Sequence, residues 1–303
     1  MFAGFDTSNY TTSAAILDQE GITNKKIMLS VKSGERGLRQ SDAVFQHTVN
    51  LPKLIEGLDF SGLEAVGVSS KPRNAEGSYM PCFLVGETAA TALAKGAGVP
   101  LYKTSHQVGH ILAALYSCER LDLINQKFLA FHLSGGTTEA LMVSPDKEEI
   151  IKAEVVAKSL DLKAGQAVDR TGVLLGLDFP CGKELDRLSK QSEEKFKIKP
   201  TIIGGDCSLS GVENKVKQMI ERGEAKEDVA KFALSFISAS VSSMLEELII
   251  KYGNLPVVFS GGVSSNSLLR ETINSKFEAC FAEAEFSLDN AAGVSVFAKL
   301  KSE

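Results

Sequence analysis

The 303-residue chain reads as an α/β protein made of two related halves. Three observations lead there. The opening segment, FAGFDTSNYTTSAAIL, returns in altered form as FLAFHLSGGTTEALMV. Each copy is followed by strand-like and helix-like runs in alternation, the mark of an α/β protein with partly parallel sheets. Several glycine-bearing turns then punctuate the second half.

Sliding the chain against itself superposes Phe2 on Phe128, Phe5 on Phe131, Ser8 on Ser134, Thr11 on Thr137, Thr12 on Thr138 and Ala14 on Ala140. The match marks an internal repeat. Each copy reads as a strand, a tight turn of small and hydroxyl residues, and a returning strand. After the first copy, EAVGVSS is a strand and FLVGETAATALAKG a helix, and SHQVGHILAALYS is a further helix-like stretch. After the second, VAKFALSFISASVSSMLEELIIKYG is a helix and PVVFSGGVSSNSLLRETI a strand, turn and helix. Between them, residues 183–230 are mostly polar and helical, broken at Pro200 and Gly204-Gly205, and suggest an inserted or lid-like subdomain. The expected division is 1–127, carrying the histidine helix, and 128–303, carrying the glycine turns and the insertion. Two α/β halves, each opening on a hydroxyl-rich hairpin, describe the actin/Hsp70/sugar-kinase (ASKHA) architecture. In that architecture two duplicated subdomains flank a nucleotide cleft, and glycines suit the turns because backbone N–H groups must approach phosphate without a Cβ in the way.

Bulk properties fit two domains. Apolar content is 44% and mean hydropathy is near zero. The longest apolar runs, such as LPVVFS, fall short of the roughly 20 residues that span a bilayer, and the N-terminus has no basic and apolar leader pattern. No membrane association is expected. Five cysteines, Cys82, Cys118, Cys181, Cys207 and Cys280, are scattered and never form C-x-x-C, which speaks against a disulfide framework or thiolate zinc site and for the cytoplasm. A net charge of −5 disfavours a stand-alone nucleic-acid binder while leaving room for a local basic track. Lys25, Lys26, Lys32, Arg36, Arg39, Lys71 and Arg73 are candidates for that track, against the plainer reading of a solvated surface.

Four segments suit one nucleotide cleft: Ser134 to Thr138, Gly165 to Asp169, Pro180 to Lys183, and Ser260 to Asn266. The first can wrap phosphates, and Asp169 can accept from ribose hydroxyls. His106 and His110 form H-Q-V-G-H, and positions four apart share a helix face, so they are candidate metal ligands. Gln107 stands where an H-E-x-x-H protease carries its glutamate base. An amide cannot take a proton from metal-bound water, which disfavours a peptidase. Two imidazoles leave coordination incomplete; a carboxylate such as Asp289 in FSLDNAAG could complete it, although spacing alone does not select it from 38 acidic residues. His47 and His132 read as structural, since nothing near them in sequence completes a catalytic set.

These residues resemble the TsaD/Gcp family, the tRNA threonylcarbamoyladenosine transferases formerly described as O-sialoglycoprotein endopeptidases. The likeness runs in order through Asp6-Thr7-Ser8, Gly37 to His47, SHQVGH, LSGGTT, SLDLKAGQAVDRTGVLLGLDFPCGKELD, CSLSGV, SGGVSSNSLLR and SLDNAAG. It implies an ASKHA fold and one divalent metal, iron or zinc, on His106, His110 and Asp289. It also implies contacts from Leu133, Ser134, Gly135, Gly136, Thr137, Asp169, Gly182 and Asn266 to ATP or threonylcarbamoyl-adenylate, with Asp186 as a further ribose partner. Ser8 and Asn9 would lie near the reacting groups. The implied reaction moves threonylcarbamoyl from its adenylate to an adenosine of tRNA. Candidate partners are tRNA, a TsaB-like protein, a TsaE-like ATPase and a second copy of the chain.

The chain departs from the family pattern at defined places. The family continues Thr-Ser with Cys-Asp-Glu-Thr, and here Asn9-Tyr10-Thr11-Thr12 follows. Thr137 stands where a His or Asn is common, Leu162 replaces an Asp, Gln166 a Glu, and Cys181 a glycine. Two alternatives to threonylcarbamoyl transfer follow from these losses: a non-catalytic or regulatory nucleotide-binding paralogue, and carbamoyl transfer to another acceptor.

Overall fold

The computed structural model describes every residue except Asn9, residues 32–37 and Asp289. Contacts divide the chain into two units: Met1–Asn125 with Ser144–Ala153 and Glu285–Glu303, and Gln126–Val143 with Glu154–Ala284.

The first unit begins with β1 (Phe2–Asp6), β2 (Thr11–Leu17) and β3 (Ile22–Met28), then α1 (Gln40–Ile55), β4 (Ala65–Lys71), α2 (Phe83–Ala97), β5 (Leu101–Ser105) and α3 (His106–Ser117). Its sheet runs β3-β2-β1-β4-β5. The pair β1/β2 is an antiparallel hairpin that sets Phe5 opposite Ala14, while β1, β4 and β5 run parallel. Strand β2 is buried at every position, as expected of a strand covered on both faces. Strand β3 alternates towards solvent and carries Lys25 and Lys26, which suits a sheet edge.

The second unit holds β6 (Phe128–Leu133), β7 (Thr138–Asp146) as far as Val143, β8 (Ile150–Lys158) from Glu154 on, α4 (Ala164–Leu174), α5 (Gly182–Ser189), β9 (Thr201–Ile203), β10 (Asp206–Ser208) and α6 (Gly211–Glu221). The long α7 (Lys226–Tyr252), β11 (Val257–Ser260), α8 (Ser267–Asn274) and β12 (Ala279–Phe281) follow; the single turn α9 (Ala284–Ser287) starts on the last residue of this unit and continues into the first. Its sheet runs β12-β11-β6-β7-β8, with β6/β7 antiparallel and β6, β11 and β12 parallel. Both sheets therefore pass from a hairpin to two parallel strands in the same order, and the sequence repeat is a repeat of topology.

Three features differ from the sequence reading. The sequence division sets the last helix, α10 (Ala292–Ser302), in the second half, but it packs on β1, β4 and α3 and belongs to the first unit. A Cβ on Gly4 would lie 2.5 Å from Ala291 O, and one on Gly67 2.5 Å from Val294 O, so the sheet meets α10 backbone to backbone. Residues 183–230 are not a lid-like excursion. Leu185, Val212, Val216, Met219 and Val229 enter the main core of the second unit, and Gly204 and Gly205, both at positive φ, make the tight β9/β10 turn. Finally, α7, already read as a helix from the sequence, is long and apolar enough to cross a membrane by length and composition, an overall apolarity hidden in the sequence because interspersed serines interrupt the apolar runs. Val229, Phe232, Ala233, Ile237, Val241, Leu245 and Leu248 are buried on it, which makes it the central core helix of its unit.

Candidate metal and nucleotide sites

In the first unit the polar residues gather where β1, β4 and β5 end, the edge at which parallel α/β sheets present ligands. Strand β5 passes directly into α3, and Ser105 caps that helix by accepting from Val108 N at 3.2 Å. His106 therefore starts the helix and His110 lies one turn on. Their rings meet edge to face with centroids 4.2 Å apart and Nε2 atoms 2.9 Å apart. The glycine of H-Q-V-G-H has a packing role: a Cβ on Gly293 of α10 would lie 2.6 Å from Ala113 N and closer still to Gly109 O, so α3 and α10 cross in direct backbone contact.

Asp6 ends β1 and is 1% exposed. Its Oδ2 lies 2.8 Å from His106 Nδ1 and accepts from Ser69 Oγ at 2.6 Å; its Oδ1 accepts from Ser8 N at 2.9 Å and from Ser8 Oγ. Ser8 Oγ is also 2.8 Å from His106 Nδ1. Burial raises the Asp6 pKa, but the charge of protonated His106 and the hydrogen bonds from His106, Ser69 and Ser8 outweigh that cost and hold the carboxyl below the usual range. Thr7 is pinned as well, donating to Cys82 O at 2.9 Å and accepting from Gly86 N at 3.0 Å.

The two Nε2 atoms suit one metal ion. Nitrogens about 2.1 Å from a shared ion, at angles between octahedral and tetrahedral, lie roughly 3.0–3.4 Å apart, and these are 2.9 Å apart. Among the described residues no group of three or more His, Cys, Asp or Glu is arranged to hold a metal. The expected third ligand, Asp289, lies outside the described residues, as does Asn9.

The second unit brings three of its glycine segments together. Ser134 and Thr137 close a tight turn, with Ser134 N donating to Thr137 O at 2.7 Å and Thr137 N to Ser134 Oγ at 3.1 Å. Gly135 and Gly136 at its tip are exposed, and Leu133 before it is buried. The start of α4 rests on this turn: Gly165 N donates to Ser134 O at 3.1 Å, and a Cβ on Gly165 would lie 2.6 Å from Gly135 N. Gly261, at φ +90°, lies against the other side of the same strand end, where a Cβ would come 2.6 Å from Leu133 C. Thr138 Oγ1 caps α4 by accepting from Ala164 N at 2.7 Å, and Gln166 Oε1 accepts from Lys163 N at 3.3 Å at the start of the same helix.

Asp169 is half-buried. Burial raises its pKa, partly offset by the bond its Oδ1 accepts from Cys181 N at 2.9 Å. Cys181 fills the space beside Gly172, whose added Cβ would lie 2.5 Å from the sulfur, and Gly182 then opens α5. Asp186 and Asn266 bond each other: Asp186 Oδ1 accepts from Asn266 Nδ2 at 2.7 Å, Ser267 Oγ at 2.8 Å and Ser267 N at 3.1 Å, and Oδ2 pairs with Lys190 at 2.9 Å. Asn266 Oδ1 caps α8 through Leu269 N. Asp186 thus fixes the start of α8.

The two histidines read as structural have neighbours that sequence reasoning missed. Buried His47 meets Thr12 Oγ1 at 2.9 Å, and His132 meets Ser260 Oγ at 3.1 Å across β6 and β11. Ser69 was not singled out either; its only signal is its place as a hydroxyl at the polar end of EAVGVSS. Of the basic residues, Lys25 donates to Gly57 O and Lys26 to Glu285 O at 3.4 Å, while Lys32 and Arg36 lie outside the described residues.

Among solved structures, the chain is similar to HypF from T. kodakarensis (TM-score 0.60, 13% identity, covering 99% of this chain and 48% of that one). It is also similar to a ROK family glucokinase from Streptomyces griseus in complex with glucose and AMPPNP (TM-score 0.56, 12% identity, 99% of each chain). These likenesses establish the ASKHA fold. Among curated proteins, the tRNA N6-adenosine threonylcarbamoyltransferase of Thermosipho africanus is 29% identical over 97% of this chain and 92% of its own length. That of Polynucleobacter necessarius is 30% identical over 79% of this chain and 71% of its own. The family model described as TsaD, tRNA N6-adenosine threonylcarbamoyltransferase, matches residues 27–296, and with these relatives it places the chain in the TsaD family.

Proposed function

We propose that the chain is a metal- and adenine-nucleotide-binding transferase that moves threonylcarbamoyl from threonylcarbamoyl-adenylate to an adenosine of tRNA. Beyond family membership, the observation that carries this reading is the convergence of the His106 and His110 Nε2 atoms, which gives the first unit a two-nitrogen face for one divalent ion. Asp289 supplies the third ligand in this reading. Iron and zinc both suit two imidazoles and a carboxylate. When bound, the ion supplies Lewis-acid stabilisation of charge on carbamoyl or phosphate oxygens.

The remaining work is positioning. The open tip at Gly135 and Gly136 offers backbone N–H groups to phosphate, and Ser134 and Thr137 hold that tip in shape. The Asp169 carboxylate is oriented by Cys181 N and has acceptor capacity left for a ribose hydroxyl. Gly182 borders the same surface, while Asn266 and Asp186 set the start of α8. In the transfer, the adenosine N6 attacks the carbamoyl carbon, a C–N bond forms, the bond from that carbon to the phosphate oxygen breaks, AMP leaves and N6 gives up a proton. The reading includes work in the cytoplasm beside a TsaB-like and a TsaE-like protein and allows self-association as a dimer.

One observation favours a second reading. Thr11 and Thr12 are buried in β2, so between Asp6 and Asp18 the N-terminal hairpin offers no carboxylate, where the family has two. A regulatory paralogue that binds nucleotide without transfer would tolerate that loss, as would a transferase with another acceptor. The deciding experiment is mass spectrometry of tRNA nucleosides from a strain lacking this gene and any paralogue. Return of threonylcarbamoyladenosine on re-expression supports transfer to tRNA; its failure with the protein folded and expressed refutes it. AMP release without modified tRNA in the purified mixture would indicate another acceptor, and nucleotide binding without AMP release the regulatory reading.

A further inference from the structure

Asp6 is a carboxylate almost wholly removed from water, at the end of a central strand, and its charge partner is an imidazole. An unpaired charge there would be strongly destabilising, and hydrogen bonds to both carboxylate oxygens offset that cost. Ser8 Oγ donates its one hydrogen to Oδ1 and Ser69 Oγ donates its own to Oδ2, with Ser8 N as a further donor to Oδ1. An ionised carboxylate only accepts. The 2.8 Å contact from Oδ2 to His106 Nδ1 therefore requires the proton on Nδ1, and Ser8 Oγ, having spent its hydrogen on Asp6, can only accept from the same Nδ1–H. In neutral His106 the lone pair is left on Nε2, the atom that faces His110 Nε2.

We propose that Asp6 is a positioning residue that locks His106 in the Nδ1–H tautomer and aims its Nε2 lone pair at the site shared with His110, with Ser8 and Ser69 holding the carboxylate in place. This rests on the reading of His106 and His110 as metal ligands. Partners of this kind orient the ring and raise its basicity, and their loss typically weakens metal binding about 10–100-fold. Asn is the informative replacement for Asp6. It keeps size and one acceptor but loses the charge, and its amide hydrogens oppose the Ser8 or Ser69 donors.

The test uses the full chain and its Asp6→Asn, Ser69→Ala, His106→Ala and His110→Ala variants. Two readouts avoid activity: Co²⁺ affinity and visible spectrum, and ¹⁵N NMR of labelled histidine in the metal-free protein, which reports the tautomer directly. The expected result is Nδ1-protonated His106 in the wild type and a mixed tautomer population in Asp6→Asn. Co²⁺ affinity should fall 10–100-fold in Asp6→Asn, less in Ser69→Ala, and be lost in both histidine variants. Wild-type tautomer and affinity in Asp6→Asn, with the histidine variants losing Co²⁺, overturns the inference while leaving the metal reading intact. Co²⁺ bound equally by all variants overturns the metal reading itself. If Asp6→Asn does not fold, Ser69→Ala decides: a shift in tautomer and affinity upholds the proposal, and none overturns it.

Discussion

Gly293→Ala should destabilise the first unit more than a methyl group ordinarily does. The added Cβ would sit 2.6 Å from Ala113 N and 2.8 Å from Gly109 C, with Gly109 O nearer still. Comfortable contacts are about 3.5–4.0 Å. Every obstructing atom is backbone of α3, so no rotamer change relieves the overlap, and α3 and α10 must part by roughly 1 Å or more. Overpacking of a well-filled core costs about 1–3 kcal/mol. Separation would also loosen the contacts of α10 with β1 and β4, which places this substitution at about 3 kcal/mol, set against about 0.5–1 kcal/mol that Ala gains over Gly in a helix. The control is Gly96→Ala. Gly96 lies inside α2 with nothing within 4 Å of its would-be Cβ, so only the helix gain applies, about 0.5–1 kcal/mol of stabilisation. Calorimetric melting of the two variants should show opposite shifts, Gly293→Ala down by about 4–10 °C and Gly96→Ala up by about 1–4 °C. Shifts of the same sign, or a Gly293→Ala protein that melts with the wild type, would refute the backbone-contact account of the α3/α10 crossing.

Gly165→Ala should act on the second unit in the same way but be read in ligand binding. Its Cβ would strike the Gly135 backbone at 2.6–2.7 Å and displace the turn proposed to hold phosphate, so ATP affinity measured by calorimetry should fall by about tenfold or more, taking 1.4 kcal/mol or more of strain; unchanged affinity would remove that turn from the site. Asp161 should make stability acid-sensitive. Burial raises its pKa, but hydrogen bonds from Ser208, Ser210, Leu209 and Leu162 outweigh that and hold it far below the ordinary value. A depressed folded-state pKa gives stability that is complete above the unfolded pKa of about 3.9 and lost as pH falls towards the folded value. The urea stability gap between wild type and Asp161→Asn should therefore be constant from about pH 5 to 7 and shrink below about pH 4; a gap that widens in acid would reverse the sign.

The fold was legible because its signals are local and repeated. FAGFD and FLAFHL carry the same alternation into the same kind of turn, and hairpin composition survives divergence because sterics impose it on each copy separately. The position of α10 was not legible. What assigns it to the first sheet is the bare backbone of Gly4, Gly67 and Gly109 meeting Ala291, Val294 and Gly293, and a glycine in sequence does not say which distant chain needs its missing Cβ. The apolar character of α7 as a core helix escaped for a related reason. Its serines break every apolar run, yet Ser238, Ser240 and Ser242 are buried in a helix whose neighbours lie far off in sequence.

At the histidine site the same limit separates what spacing can state from what it cannot. The i, i+4 interval put His106 and His110 on one face, which is all that periodicity offers. The carboxylate that orients His106 arrives from the end of β1 and the hydroxyl that steadies that carboxylate from the end of β4, because parallel strands deliver distant residues to one edge. This changes the weight of the missing family carboxylates. The Asn9-Tyr10-Thr11-Thr12 loop has no acid of its own, but the acid that touches His106 is Asp6, and it remains. Loss of the loop pair thus bears on groups beyond the imidazoles, such as those receiving a proton or meeting the acceptor, while the support of His106 is intact. A chain that kept only vestigial chemistry would have no need to bury a carboxylate at 1% exposure with four donors trained on it. That arrangement is the one the proposed metal site would need to orient His106.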